Sequence, residues 1–593
     1  MNWLHPGSIV NIMRLIAKTL VVVTLTAAVA ASAALGAPAA ALTIDGIASG
    51  ALGENPSGHR PQGAVITPQR IDLRVEVRPE LPTALIEADL TFRVERTTEI
   101  VRVFLRSDMT LDLIEDADGV PLTYRRGRSR IRISTPTLAA GVVTTWRFRY
   151  RATFDTSLEE SGQMLLTTPW YPHLRRAAGP EEFLRYVPMP MSLTATLPDP
   201  WMLVSSGTNA TTSDNGATRY VWRDSVPSQT IPLVIGRFVE DDKLDTVGTV
   251  RAFLDRRNGS LAKSYVEYIV RAAKFFSARI GLLDRRSWNL VAIDLPETMS
   301  GLTLPGMTLL DIDAVRRDVE FPYRILAHEI AHQWWNFYVE IPRGRDAWLR
   351  EGLPTYSSLM FLESEYGTRM MRQELDRSQR LALSIASPEP LEIGFDMSSQ
   401  EAIYALNYHK AAAVLHMLRK IMGLDKFVDL IRALHNHGED VTTPVFIRLA
   451  EEMYADDLSW FFDPWLRSAD VPSFRVRYGY ERVEASSPRY ELRGVIEQHG
   501  AAIRYPVRMR VSLEAAPPLE TTVWIEPGSV DFIISLPSPP TGLQFDPDGD
   551  LLYREVSMEV VELLEAPGEN GATTLSSRPA RKEEPPDTPA YGA

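Results

Sequence analysis

Two histidines four residues apart, His328 and His332, flank a glutamate at 329 in the stretch HEIAHQWWNFYVE, residues 328–340. On an α-helix, positions i and i+4 share a face, so both imidazoles can offer a nitrogen to one metal ion. Glu329 would stand beside that metal, where a bound water sits, in the place of a general base. A catalytic zinc keeps three protein ligands and one open position, so a third ligand is required. Glu351 in WLREG (348–352) is the candidate, because Pro342 and Gly344 break the chain between it and His332. Two antiparallel helices joined by that turn can bring Glu351 opposite the histidines. Asp346 is expected to hold a ligand histidine by its second ring N–H, and Pro354 to sit in the first turn of the Glu351 helix or to kink it. The bland alternative is a surface helix with two solvated histidines. The large apolar neighbours Ile325, Leu326, Ile330, Trp334, Trp335 and Phe337 argue for burial instead. Buried histidines and a glutamate need partners, and one zinc ion supplies them.

This combination resembles the aminopeptidase N family of zinc metallopeptidases, to which leukotriene hydrolase also belongs: HEIAHQWW, with eighteen residues between His332 and the glutamate of WLREG. Tyr408-His409-Lys410-Ala411, followed by AAVLHMLRK, is similar to the family's tyrosine segment, with alanine where glycine is usual. FFDPWLRSADVPSFRVRY (461–478) resembles the family's passage into a small β domain, and the resemblance as a whole spans roughly 66–556. It implies one catalytic Zn2+ on His328, His332 and Glu351, with Glu329 as general base and Tyr408 as hydrogen-bond donor to the developing oxyanion. The implied substrate is a peptide or small amide. One family feature is missing. The G-x-M-E-N segment, whose glutamate pairs with the substrate ammonium, corresponds here to MSGLTLPGMTLL (299–310), and with Gly301 matched to the glycine, Leu304 stands in the glutamate's place. A leucine cannot partner an ammonium. Glu297, Asp311 and Asp313 are the nearby carboxylates, and Ser358 stands where the family often has another glutamate. The resemblance therefore implies a metallopeptidase with a complete water-activating set and an altered amine end. Its rivals are a zinc-containing peptide-binding module and a non-peptidase hydrolase.

The elements that must position these residues are legible in the patterning. The expected fold class is multidomain α+β: an N-terminal antiparallel β domain, a thermolysin-like and mainly helical catalytic domain, and a small C-terminal β-sandwich-like domain. RIDLRVEV (70–77), RIRIST (130–135) and WRFRYRATF (146–154) alternate with period two, which predicts strands over 66–245. SLAKSYVEYIVRAAKFFSARIG (260–281) carries apolar residues at helical spacing and opens the catalytic domain, 246–470. Short strands are expected around NLVAIDL (289–295) and MTLLDID (307–313). Helices then follow around the motif and around 347–364, 400–421, 424–436, 444–454 and 458–468. Alternation returns in 471–560.

Residues 1–35 read as a signal peptide or anchor, with Arg14 and Lys18 before an apolar run and Ala31-Ser32-Ala33 as a cleavage pattern. That predicts an exported protein, periplasmic or secreted, with an uncleaved anchor as the alternative. Residues 36–65 read as a linker and 561–593 as a disordered tail. A net charge of −13 leaves no basic footprint for nucleic acid. The absence of cysteine excludes disulfides, thiolate metal ligands and a thiol nucleophile. Three minor features complete the reading. His435-Asn436-His437 is expected at a solvated helix end, Asp546-Pro547-Asp548-Gly549-Asp550 as a turn between strands, and His173 as loop packing.

Overall fold

The computed structural model describes residues 65–561, except 168, 177–184, 297–298, 318–320, 386–387 and 484–488. The leader, the linker up to residue 64, Glu297 and the tail from 562 lie outside the described residues.

The described chain is a mixed α+β structure. Its N-terminal part is β-rich, and a seven-stranded sheet dominates it. Ile66–Val77, Thr83–Val94 and Val143–Thr153 pair antiparallel at its centre. Alternation decides which side is buried. Ile71, Leu73, Val75 and Val77 point inward, while the outward face carries Arg74 and Arg147 paired to Asp89, and Arg149 paired to Glu87. A one-residue slip would reverse every one of these side chains, so register is strongly fixed.

The sheet that supports the histidine motif has five strands: β1 (Val239–Asp245), β2 (Gly248–Leu254), β3 (Ser287–Ile293), β4 (Gly301–Leu304) and β5 (Met307–Asp311), in the order β1-β2-β3-β5-β4. β2, β3 and β5 run parallel, and β4 pairs antiparallel to β5 at the edge. All seven residues of β3 are buried, as a central parallel strand covered on both faces requires. Helix α1 (Ala262–Arg279) connects β2 to β3 and buries Val266, Ile269, Val270, Ala273 and Phe276.

The motif helix α2 (Phe321–Ala331) lies against β4 and β5. Helix α3 (Ala347–Tyr366) carries Glu351, and α4 (Thr368–Leu383) follows it. Next come a π-helical turn at Tyr404–Lys410, α5 (Ala411–Met422), α6 (Leu424–His435), α7 (Thr443–Tyr454) and α8 (Ser459–Arg467). The periodicity reading passes over α4. Its buried face, Met371, Glu374, Leu375, Ser378 and Ala382, keeps the helical period, but three apolar residues on a strongly charged helix give little hydrophobic signal.

Two sheets end the chain. β6 (Ser473–Arg482), β7 (Tyr490–His499), β10 (Ser529–Leu536) and β12 (Val556–Val560) form one. β8 (Tyr505–Leu513), β9 (Leu519–Ile525) and β11 (Pro540–Phe545) form the other. Inward residues of both, among them Val476, Leu492, Met509, Ile534 and Phe545, join one apolar cluster.

Candidate metal centre

Helix α2 presents His328 and His332 on one face. The helix proper ends at Ala331, but the His332 N–H still reaches the His328 carbonyl at 3.2 Å, so the i to i+4 relation holds. The chain then turns at Asn336, whose φ is +82°, and again at Gly344, φ +88°. Asparagine and glycine tolerate this left-handed region best. The turn brings α3 back against α2, with Glu351 facing both histidines. His328 Nε2 and His332 Nε2 lie 3.0 Å apart. Glu351 Oε2 lies 3.4 Å from His332 Nε2 and 3.8 Å from His328 Nε2. Zinc bonds of ~2.0–2.1 Å in a tetrahedron put ligand atoms about 3.3 Å apart, so these separations suit one ion. Glu351 Oε2 is also buried without a hydrogen-bond partner, a costly condition that a cation relieves. Among the described residues this is the only group of three or more metal-binding side chains that converges.

The protonation states fit as well. Burial and the neighbouring His332 push His328 down to about 3, so it is a neutral ligand at pH 7. Burial alone would raise the Glu351 carboxyl, but His332, His328 and Arg350 outweigh it and hold the group at about 2. A neutral imidazole and an ionised carboxylate are the forms a metal requires.

The remaining nitrogens are oriented by groups the sequence reading did not single out. Thr355 Oγ1 donates to the Glu351 carbonyl at 2.7 Å, so it accepts from His328 Nδ1 at 3.2 Å, leaving the Nε2 lone pair toward the centre. Asn336 Nδ2 stands 2.8 Å from His332 Nδ1 and donates to the Arg350 carbonyl at 2.9 Å. The usual helical N–H for that carbonyl is missing, because Pro354, four residues on, has none to offer. Pro354 therefore lies inside α3 rather than in its first turn, and Asn336 donates to that carbonyl. Asn336 Oδ1 is buried without a hydrogen-bond partner. Asp346 does not hold a histidine: it accepts the Thr443 N–H at 2.6 Å, at the start of α7.

Glu329 is buried beside the two histidines and faces edge strand β4. Thr303 Oγ1 donates to its Oε2 at 2.7 Å. A Cβ on Gly301 would lie 2.9 Å from Glu329 Oε1, so a larger residue there would push this carboxylate aside. Burial raises the Glu329 pKa above the ordinary range, against the opposing pull of His332 and Thr303. Tyr408 comes from the π-helical turn. Its ring stacks on His328 with centroids 5.6 Å apart. Burial, then the charges of Glu351 and Glu329, raise its hydroxyl well above 10 and keep it a proton donor.

Other sequence expectations resolve here. Leu304 is fully buried, and its carbonyl accepts from Gln333 Nε2 at 2.9 Å. Ser358 turns back to the Thr355 carbonyl. His435 is not solvated: it is buried and stacks on Tyr338 with centroids 4.3 Å apart. His173 packs between Phe104 and Tyr186. The 546–550 segment links β11 to β12.

Residues 301–465 match the peptidase family M1 domain. Aminopeptidase 2 of Candida albicans is 22% identical over 330 residues, covering 51% of this chain and 35% of that protein. Leucyl aminopeptidase of Saccharolobus solfataricus is 24% identical over 202 residues, 32% of this chain and 25% of that one. The chain thus aligns to between a quarter and about a third of the length of these relatives. Among solved structures, aminopeptidase A of Legionella pneumophila in complex with aspartic acid superposes with a TM-score of 0.61 at 16% identity, over 83% of this chain and 59% of that one. A mutant M1 zinc metallopeptidase from Deinococcus radiodurans superposes at 0.53 with 19% identity, over 68% and 95%. The two superpositions show a shared fold. Together with the domain match, they bear out the resemblance to the aminopeptidase N-like gluzincins read from HEIAH and WLREG.

Proposed function

We propose that this chain, with its peptidase family M1 domain, is a zinc-dependent metallopeptidase that hydrolyses peptide bonds. The observation that carries the reading is the convergence of His328, His332 and Glu351 on one point, with Glu329 and Tyr408 beside it. His328, His332 and Glu351 hold the ion, and residues 246–470 act as a thermolysin-like catalytic domain between the two β domains. A bound zinc supplies Lewis-acid polarisation of the scissile carbonyl and a lowered pKa for the attacking water. Glu329 takes the proton of that water and delivers it to the leaving amine. Its raised pKa brings its basicity closer to neutral pH, where a general base works best. Thr303 aims the carboxylate. Tyr408 stays protonated and donates to the oxyanion as the tetrahedral carbon forms.

What the enzyme recognises at the amine end is a separate matter. Leu304, buried in β4, favours a second reading in which a free amino terminus is not required. The chain is also proposed to be exported by its leader. No helix among the described residues is long and apolar enough to cross a membrane.

The test measures bound zinc and compares turnover of matched peptides with free and blocked amino termini. Glu329→Gln is the control, expected to keep zinc and lose roughly 10²–10⁴-fold in kcat. Cleavage of free-amine peptides alone supports an aminopeptidase, and cleavage of blocked ones an altered specificity. Zinc binding without any turnover would replace the enzyme with a binding module.

A further inference from the structure

A buried polar chain on the far side of the Glu351 helix has no part in the chemistry above. Tyr356 Oη lies 3.1 Å from His416 Nδ1, and His416 Nε2 lies 3.0 Å from Asp550 Oδ1. The three residues are 1%, 4% and 7% exposed. Lys420 Nζ meets the other Asp550 oxygen at 3.0 Å, and Arg419 bridges Tyr356 Oη and Glu363 at 3.4 and 2.8 Å. Each link has one allowed direction. A carboxylate only accepts, so His416 Nε2 donates to Asp550. A neutral imidazole then has a lone pair on Nδ1, which accepts from the Tyr356 hydroxyl. Burial keeps His416 below its usual pKa and so in this neutral form.

The chain joins three separate pieces. Tyr356 is five residues after Glu351 on α3. His416 is on α5, which continues directly from the turn that bears Tyr408. Asp550 belongs to the β11–β12 loop of the C-terminal β region. That loop is itself braced. Both Asp546 oxygens accept backbone N–H groups, of Asp550 and Leu551, at 3.0 Å. Gln379 on α4 donates to the Gly549 carbonyl at 3.0 Å, and Arg372 on α4 pairs with Asp548. None of the loop carboxylates converges on a cation site; they are taken up by helices α4 and α5, by Arg508 and Arg510 of β8 and by the loop's own backbone. Burying so many polar groups costs stability unless all are paired. What a paired network provides is a single arrangement of the pieces it joins.

We infer that Asp550, acting through His416 and Tyr356, is a positioning residue: the C-terminal loop fixes the spacing between the helix of Glu351 and the helix that follows Tyr408, and so governs zinc retention and turnover. The inference rests on the proposed metal site. In the full-length protein, zinc loss to a chelator, kcat and KM are compared among wild type, Asp550→Asn, Tyr356→Phe and Glu559→Gln. Glu559 pairs with Arg475 in the same β region, away from the loop, and serves as the control. Zinc loss is expected to quicken about tenfold or more in the first two variants, with kcat lowered, KM little changed and Glu559→Gln like wild type. If Asp550→Asn does not fold, Tyr356→Phe carries the same expectation, since it removes one hydroxyl and keeps the ring. A lowered unfolding temperature with wild-type zinc retention and kcat in Tyr356→Phe overturns the inference. Variant-dependent zinc retention in a protein that cleaves no peptide leaves the inference standing and removes the peptidase reading instead.

Discussion

Asn336 shows how much one side chain outside the motif decides. It occupies a left-handed backbone position, donates to the Arg350 carbonyl, and stands against the ring of His332. These duties can be separated experimentally. Asn336→Gly suits the backbone, so what it loses is the amide. Metal affinity is expected to fall about 10–100-fold, read by chelator competition. Stability is expected to fall by about 1–3 kcal/mol for the lost hydrogen bond to the Arg350 carbonyl, read by denaturant unfolding. Adding Pro354→Ala returns an N–H to that carbonyl, so the stability loss should recover while the metal loss persists. Recovery of both would mean that Asn336 acts on His332 only through the shape of α3.

Between elements, the approach of α3 to α5 is the closest contact near the centre. A Cβ on Gly352 would lie 2.7 Å from the Ala411 Cβ, so this glycine is required by packing. Its φ is not among the positive ones. Gly352→Ala gains helix propensity, about 1 kcal/mol, yet forces the helices apart, and a net loss of about 1–3 kcal/mol is expected. Ala411→Gly in the same protein removes the obstructing methyl and should restore most of it. Additive losses in the double variant, measured by equilibrium unfolding, would show that the two positions do not press on each other. The two contacts along this seam, Gly352 with Ala411 and Tyr356 with His416, lie one helical turn apart on α3. This seam relates the Glu351 helix to the Tyr408 segment.

At the scale of the molecule, the C-terminal β region is tied to the helices by charge. Burial alone would raise Asp550, but His416 and Lys420 outweigh it and hold the carboxyl at about 2, against an ordinary 3.8. A folded-state pKa below the unfolded one stabilises above 3.8 and loses that contribution as pH falls toward 2. The shift corresponds to about 2 kcal/mol. Asp550→Asn should therefore be less stable by roughly that amount at neutral pH, with the difference from wild type vanishing toward pH 2, as followed by unfolding across pH. A difference independent of pH would assign the loss to geometry alone.

The sequence by itself determined the chemistry on one helix face. His328, His332 and Glu329 follow from the 3.6-residue period, and Glu351 from the turn that Pro342 and Gly344 impose. Strand alternation located the β regions for the same reason, since side-chain direction repeats over two residues. Thr355 lies four residues beyond Glu351 on the same helix, so the period placed it on the right face, while Asn336 lies past the end of its helix, where the period no longer applies. The period could not say which partner each would meet, and Asp346 was the wrong choice for that reason. The helix Thr368–Leu383 escaped because few of its residues are apolar. The longer-range contacts around the site came from chain segments far apart: Thr303 reaches Glu329 across 26 residues, Tyr356 reaches His416 across 60, and His416 reaches Asp550 across 134. Local periodicity sets which way a side chain points. Which group it meets there is decided by packing, and only the tertiary structure supplies that.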